Sequence, residues 1–439
     1  MEISGQYYVA KAPANLIASF SNHRDHAGSP TRVVRAAISL ILIAAFALRL
    51  GTRIAFGEEY FWQNSYSAYY DLAQNVAAGK GFCFGTTCAW WPPLYPLFLA
   101  LTTLAGKHYL FMIVPQALMG AGTALCAFLI GRSIFNPSVG IIACVITAFY
   151  PYYVMHDTAL QETGMVTFWT ALSVYLLLRA RRSNRPIHWF FAGLALSAIV
   201  LTRASLAPSV LLALCWVLWF GAAGKFTQRL QTVSITLLAL ALAVGPWLIR
   251  TYRLTGAPVL SSQTGRALWI GNNPATFSHY PNESIDLSEA TAQAQQTTEE
   301  HAQLDPLAAN EIEQSNWYAR RGLAFIKEHP WLTVQSAFRK LWAGFSWTLN
   351  PVREPLVQAV YFISYVPVAV LGMIGMFLAR RRREVVLIAM LFLAFLCVTS
   401  LFWAHTSHRS YLDVYLIIFA ASVIEGTWRN RQCQNTTIS

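Results

Sequence analysis

Few ionisable side chains interrupt this sequence, and those that do fall in groups. Glu58, Glu59 and Asp71 lie in one polar stretch, and Asp157 and Glu162 in another, with His156 and Gln161 beside them. A carboxylate held against a reacting hydroxyl takes its proton in the transition state, so acids from two neighbouring segments suit general-base chemistry. Glu58 and Glu59 read equally well as solvated loop charges. Asp157 and Glu162 stand at the edge of apolar runs, where an acid is costly unless it faces a cavity or a partner. Arg203, in Leu201-Thr202-Arg203-Ala204, and Arg250 and Arg253, after Pro246-Trp247, offer guanidinium forks that match a phosphate or a carboxylate. Interfacial snorkelling is the plainer account of them. His405, His408, Arg409 and Tyr411 form a further cluster. Nothing in its spacing, or elsewhere, demands a metal, and no cofactor is expected. Gly271-Asn272-Asn273-Pro274 has the composition of a turn. Cys83 and Cys88, in CFGTTC, permit a disulfide without requiring one.

These groups need elements to hold them, and the composition says which kind. The chain has 439 residues, 55% hydrophobic and 12% charged, against roughly 25% charged in soluble domains. A net charge of +12 raises nucleic acid as a partner, but the basic residues sit in short clusters between apolar runs. They read instead as topology signals and contacts to membrane lipids, and nucleic acid is excluded. Runs long enough to cross a bilayer, about 20 residues each, occur at 34–52, 109–132, 137–155, 163–181, 187–203, 205–223, 230–249, 357–379, 384–403 and 411–427. The expected fold is thus an all-α polytopic membrane bundle of about ten helices. The segment from Pro93 to Ala105 is apolar but short and opens Pro-Pro, so it is assigned as re-entrant or interfacial.

With the N-terminus inside, Arg24 and Arg32, then Arg132, Arg179 to Arg185, Lys225 and Arg229, Arg380 to Arg383, and Arg429 and Arg431 all fall in inner loops, as the positive-inside rule asks. The resulting division is a tail 1–33, a membrane module 34–249 with an outer loop 53–108, a long outer loop 250–356, membrane helices 357–427 and an inner tail 428–439. The polar groups then gather at the opposite face. Tyr66, Tyr69, Tyr70, Ala73, Val76 and Ala77 recur at helical spacing, which predicts an amphipathic surface helix in the first outer loop. The long loop is expected to begin irregular and become helical from about Pro306 to Trp347, with a break at Pro330.

The order of several segments carries a resemblance. YYDLAQNVAAGKGF (69–82) precedes WPPLYPLFLAL (91–101), then YPYYVMHDTALQET (150–163) and GLALSAIVLTR (193–203) follow. GPWLIRTYRLTGAPVLSSQTGRALWIGNNP (245–274) and FIKEHPWLTVQSAFRKLW (325–342) complete the series. From about residue 35 to 425 the chain resembles the GT-C type membrane glycosyltransferases, in the branch of bacterial protein O-mannosyltransferases and lipid A aminoarabinose transferases. The resemblance implies a GT-C-like bundle and inverting transfer of a sugar from a polyprenyl-phosphate donor to a lipid, protein or glycan acceptor. It implies a multi-pass inner-membrane location, a periplasmic active site and cytoplasmic termini. By position, Asp157 and Glu162 match the acidic second-loop motif, Arg203 the Leu-Thr-Arg motif, and Arg250 with Asn272 and Asn273 the Pro-Trp to Gly-Asn-Asn-Pro segment. Arg203, Arg250 and Arg409 are the expected donor-phosphate ligands, and Tyr69, Tyr95, Asn272, Asn273 and His408 the expected substrate contacts. The family's aspartate four residues before the tyrosine that matches Tyr69 is replaced by Ser65. Glu59, Glu58 or Asp71 is expected to substitute, with Glu59 preferred. A non-catalytic binding or assembly protein on the same scaffold, and a secondary transporter, are the rival classes.

Overall fold

The computed structural model describes residues 32–63, 66–106, 108–222 and 224–438, with side chains to Gln432. Arg24, Ser65 and the side chain of Cys433, each of which the sequence singles out, lie outside them. The described residues form eighteen α-helices and no strand beyond an isolated bridge between Phe84 and Thr87. In chain order they are α1 (Arg32–Gln63), α2 (Ser67–Ala77), α3 (Leu94–Ala105), α4 (Leu110–Ile134), α5 (Pro137–Phe149), α6 (Pro151–Asp157), α7 (Thr163–Ser183), α8 (Pro186–Thr202) and α9 (Ala207–Trp216). Then come α10 (Phe226–Thr255), α11 (Thr264–Gly271), α12 (Ile285–Ala294), α13 (Thr298–Leu304), α14 (Glu311–Glu328), α15 (Pro330–Phe345), α16 (Pro355–Leu378), α17 (Arg383–Leu401) and α18 (Thr406–Ile438).

Eight segments are long and apolar enough to cross a membrane, one of them the continuous run Ala204–Gly221 that contains α9. A ninth is broken between α5 and α6 by 55°. Pro151 follows the break; it has no N–H to give and its ring crowds the preceding turn. The tenth expected span is α8, a shorter apolar helix of 17 residues. The Pro93–Ala105 segment becomes the short helix α3. In the first outer loop α2 buries Tyr69, Leu72 and Ala73 on one face, the amphipathic pattern expected of it. α1 bends at Gly57, whose φ of 78° only glycine adopts without strain, and so carries Glu58 and Glu59 onto a final turn of different direction.

α18 is the buried centre, with Leu412, Val414, Tyr415, Ile417, Ile418 and Phe419 all inaccessible. The long loop is more ordered at its start than its polarity suggests. Ser284 caps α12, Thr297 and Glu300 form a capping box on α13, and Trp269, Tyr280, Ile285, Trp317 and Tyr318 make a small core of their own. Polar composition conceals this order because caps and a few aromatics suffice to fix short helices. The later part follows expectation, α14 giving way to α15 at Pro330.

The ends assigned to the inner face meet one another. Arg181 pairs with Glu384 at 2.8 Å, Arg182 donates to Ser133 Oγ at 3.1 Å, Asn136 donates to Glu425 at 3.3 Å, and Trp216 Nε1 donates to the Arg383 carbonyl at 3.1 Å.

Candidate functional site

At the other end of the bundle the expected outer segments converge on a cavity of about 660 Å³. The first loop supplies Tyr66, Tyr69, Trp90 and Trp91, and the second supplies Gln161, Glu162 and Thr163. The turn after α8 adds Arg203, the long loop adds Arg266, Asp286 and Glu289, and the last connection adds Trp403, His405 and His408. One wall is aromatic and polar. The other is apolar, built from Leu206 and Pro208 with Ala394, Phe395 and Val398 of α17. An amphiphile with a charged, ring-bearing head and a hydrocarbon tail matches that division.

Two ion pairs stand in the cavity. Arg203 reaches Glu162 Oε1 through Nη2 at 2.8 Å and Nε at 3.2 Å, and it follows α8 directly, where Thr202 ends the helix. Among the described residues its Nη1 has no partner, so N–H groups stay free for a further anion. Arg266 pairs with Glu289 and lies over the Trp90 ring at 5.3 Å. Burial raises the Glu289 carboxyl above its usual range, opposed by Arg266. Asp286 opens the first turn of α12, accepts from Ser284 Oγ at 2.9 Å, and is in no ion pair among the described residues. Tyr69 packs its ring on Trp91 at 4.7 Å, and burial together with the Glu162 charge lifts its hydroxyl well above the ordinary range. His408 lies 4.8 Å from the Trp403 ring.

Of the residues expected to act, the structure therefore brings Tyr69, Glu162, Arg203 and His408 together. It does not bring the others to the cavity. Glu58 and Glu59 accept from Trp62 and Gln63 one turn along α1, and Asp71 is exposed on α2. Asp157 is buried against Arg49 Nε at 2.8 Å, while Arg49 Nη1 donates to the carbonyls of Ala45 and Ala148. Tyr95 donates to Gln116, which in turn holds the Asp157 and Ala159 carbonyls.

Arg250 and Arg409, expected as phosphate ligands, both have guanidiniums bonded within the chain and away from the cavity. Arg250 donates to the carbonyls of Cys88 and Phe82 and stacks on Trp247 at 4.8 Å. Arg409 is wholly buried in α18, paired with Asp413 at 2.9 Å and bonded to the Tyr361 hydroxyl at 3.0 Å. Asn272 donates to the Leu268 and Leu401 carbonyls and accepts from Lys340, and Asn273 caps the turn around Ala275. Both join elements rather than face the cavity.

Cys83 and Cys88 are bridged. The loop they close is clamped by Glu311, which accepts from the Cys88 and Ala89 N–H groups and from Ser262 Oγ. That clamp sets Trp90 and Trp91 in the cavity wall. Sequence reasoning overlooked Asp286, Arg266, Glu289 and Glu311. The Ser284–Asp286 cap was the one local signal; the rest depend on partners far along the chain. Among the described residues no group of three or more His, Cys, Asp or Glu side chains is gathered to hold a metal ion.

Fold and composition together define an all-α, multi-pass membrane protein. Residues 91–249 match the family model described as dolichyl-phosphate-mannose-protein mannosyltransferase, the segment that runs from the first-loop tryptophans through the second-loop acids and Arg203. Among solved structures the chain is similar to the apo oligosaccharyltransferase of Archaeoglobus fulgidus, with a TM-score of 0.51 at 13% identity over 92% of this chain and 52% of that one. It is similar also to the oligosaccharyltransferase AglB of the same organism in complex with an inhibitory peptide and a dolichol-phosphate, with a TM-score of 0.52 at 13% identity and the same coverage. The chain thus spans about half the length of these structures, and the likeness is one of fold. No curated protein matches it.

Proposed function

We propose that this protein is a glycosyltransferase that moves a sugar from a polyprenyl-phosphate donor to an acceptor hydroxyl on a lipid, protein or glycan, within the cavity between α2, α7, α12 and α17. The observation that carries it is the cavity's division into an apolar wall and an aromatic wall bearing two arginines and a carboxylate outside any ion pair. The family match over 91–249 and the dolichol-phosphate in a structure of the same fold support it. The prenyl chain lies on the α17 wall, and Trp90, Trp91 and Trp403 offer ring faces to the sugar.

In this reading Asp286 takes the proton of the acceptor hydroxyl. The oxygen attacks the anomeric carbon, the bond from that carbon to the phosphate oxygen breaks, and its electron pair leaves on polyprenyl phosphate. Arg203 and Arg266 stabilise the departing charge, a term worth several kcal/mol (about 3 for one lost donor) in comparable sites. A single displacement of this kind inverts the anomeric centre. Glu162 and Glu289 hold the two arginines in place and offset their charge when the site is empty. The clusters of arginine at the opposite end of the bundle support a cavity at the non-cytoplasmic face, which in a cell with two membranes would be the periplasmic face of the inner one.

The test is transfer of radiolabelled sugar by purified protein from a panel of polyprenyl-phosphate donors. Asp286→Asn and Arg203→Ala are expected to lower turnover at least a hundredfold, and Glu59→Gln and Asp71→Asn to leave it within threefold. Loss of transfer in Glu59→Gln with Asp286→Asn active would overturn the base assignment. Binding of a donor with no transfer to any acceptor class would make the protein a carrier or assembly factor.

A further inference from the structure

α7 runs from the cavity, where Glu162 precedes it, to Arg181 and Arg182 in its last turn. Its 21 residues span about 30 Å at 1.5 Å per residue, the thickness of a bilayer core. At that far end is a second hollow, of about 370 Å³, between α7, the end of the Ala204–Gly221 span, α10 and α17. Arg181, Arg182, Arg229 and Arg383 line it with one acid, Glu384. The acid is taken by Arg181 at 2.8 Å, and Arg182 is turned to Ser133. Among the described residues the guanidiniums of Arg229 and Arg383 have no counter-charge, and Arg229 Nε is buried without a hydrogen-bond partner.

Backbone geometry adds to this excess. α10 and α17 both begin here, and among the described residues neither start carries a side-chain cap, so the N–H groups of their first two residues can meet an anion. Val217–Gly221 is a π-helical turn that leaves Trp219 on the surface at 61% exposure beside the hollow. Widened turns of this kind are frequent at functional sites, and an indole at such a depth belongs to the headgroup layer.

We infer that this hollow is a second ligand site, distinct from the transfer cavity and on the opposite membrane face, which binds a phosphate group through Arg229 and Arg383. The phosphate of an anionic lipid headgroup and a soluble phosphate share that chemistry, and basic hollows between helices on the inner face suit the former.

Native mass spectrometry of the full chain, stripped of lipid in detergent, separates them when short-chain phosphatidylglycerol, short-chain phosphatidylcholine and inorganic phosphate are titrated in turn. The Arg229→Ala, Arg383→Ala double variant is expected to bind phosphatidylglycerol at least tenfold more weakly than wild type. Arg253→Ala, at the other end of α10, is expected to bind it unchanged. The same dependence for inorganic phosphate without lipid binding would support the site with a soluble ligand as its source. Arg383→Gln alters one exposed side chain and stands in if the double variant does not fold, with about a threefold loss expected. Equal affinities of wild type and these variants in both arms would overturn the inference.

Discussion

Asp157 is the residue on which the family resemblance and the structure differ most, and its role can be decided by a double-mutant cycle with Arg49. The pair is at 2.8 Å, with side-chain exposures of 0% and 5%. Asp157→Asn removes the counter-charge and leaves Arg49 buried and uncompensated, which costs about 3–5 kcal/mol in comparable buried pairs. Arg49→Met costs a similar amount by stranding the carboxylate. In the Arg49→Met, Asp157→Asn double variant neither charge is left, so the cost should fall well below the sum, with a coupling energy of about 2–3 kcal/mol. For a chain of this size each kcal/mol corresponds to about 1–2 °C, extrapolating the size scaling, so each single variant should melt about 3–10 °C lower. Thermal unfolding in detergent, followed by tryptophan fluorescence, reads this out, together with transfer activity per folded molecule. Gly120→Ala is an independent perturbation, because a methyl there would overlap both the Asp157 carboxylate and Arg49 Nε. It should destabilise in the same direction with no change of charge. Additive losses in the cycle, or an Asp157→Asn protein of wild-type stability and no activity, would refute the structural role and return Asp157 to the reacting centre.

Glu311→Ala strands the Cys88 and Ala89 N–H groups, at about 1–3 kcal/mol for each buried unsatisfied donor. Hydrogen exchange should quicken at residues 88–89, and donor binding should weaken as Trp90 and Trp91 shift; protection equal to wild type would count against the clamp. Serines at Cys83 and Cys88 open a ring closed over a separation of 5 residues, worth about 2 kcal/mol of chain entropy. A thermal scan that superimposes on wild type would contradict it. Burial and the nearby Arg353 lower His405 to about 4. Its folded value lies below the unfolded 6.5, so the unfolded chain binds more protons between the two, and stability is full above pH 6.5 and lost as pH falls toward 4. The difference amounts to on the order of 3 kcal/mol. His405→Leu should flatten the melting temperature against pH over that window; an unchanged slope would assign the acid sensitivity elsewhere.

The membrane fold was legible in the sequence because its determinants are local and collinear. Each apolar run must satisfy its own backbone as a helix, and each basic cluster sits at the end of one run, so spans and loops follow from counting along the chain. The same locality made the α2 amphipathic face and the Pro330 break visible, whereas the 55° bend at Pro151 inside the span expected at 137–155 was not foreseen. Glu162, Arg203 and His408 were singled out because each sits near a span boundary where a polar residue is conspicuous, and Tyr69 because its segment carries the resemblance. Which arginine is free and which acid faces the cavity could not be found that way. Arg203, Arg250 and Arg409 are the same residue type at similar boundaries, and only the packing of distant segments gives one of them a carboxylate in an open cavity and another the carbonyls of the disulfide loop; the third pairs locally with an aspartate one turn along α18, and it is the burial of that pair that distant helices supply. Asp286 and Arg266 lay unnoticed in a polar loop for the converse reason. Their significance comes from Tyr66, Glu289 and Trp90 being brought beside them across the cavity. Helix and span are properties of consecutive residues, whereas a charge's partner and its exposure depend on which remote segment the tertiary fold places within a few ångströms.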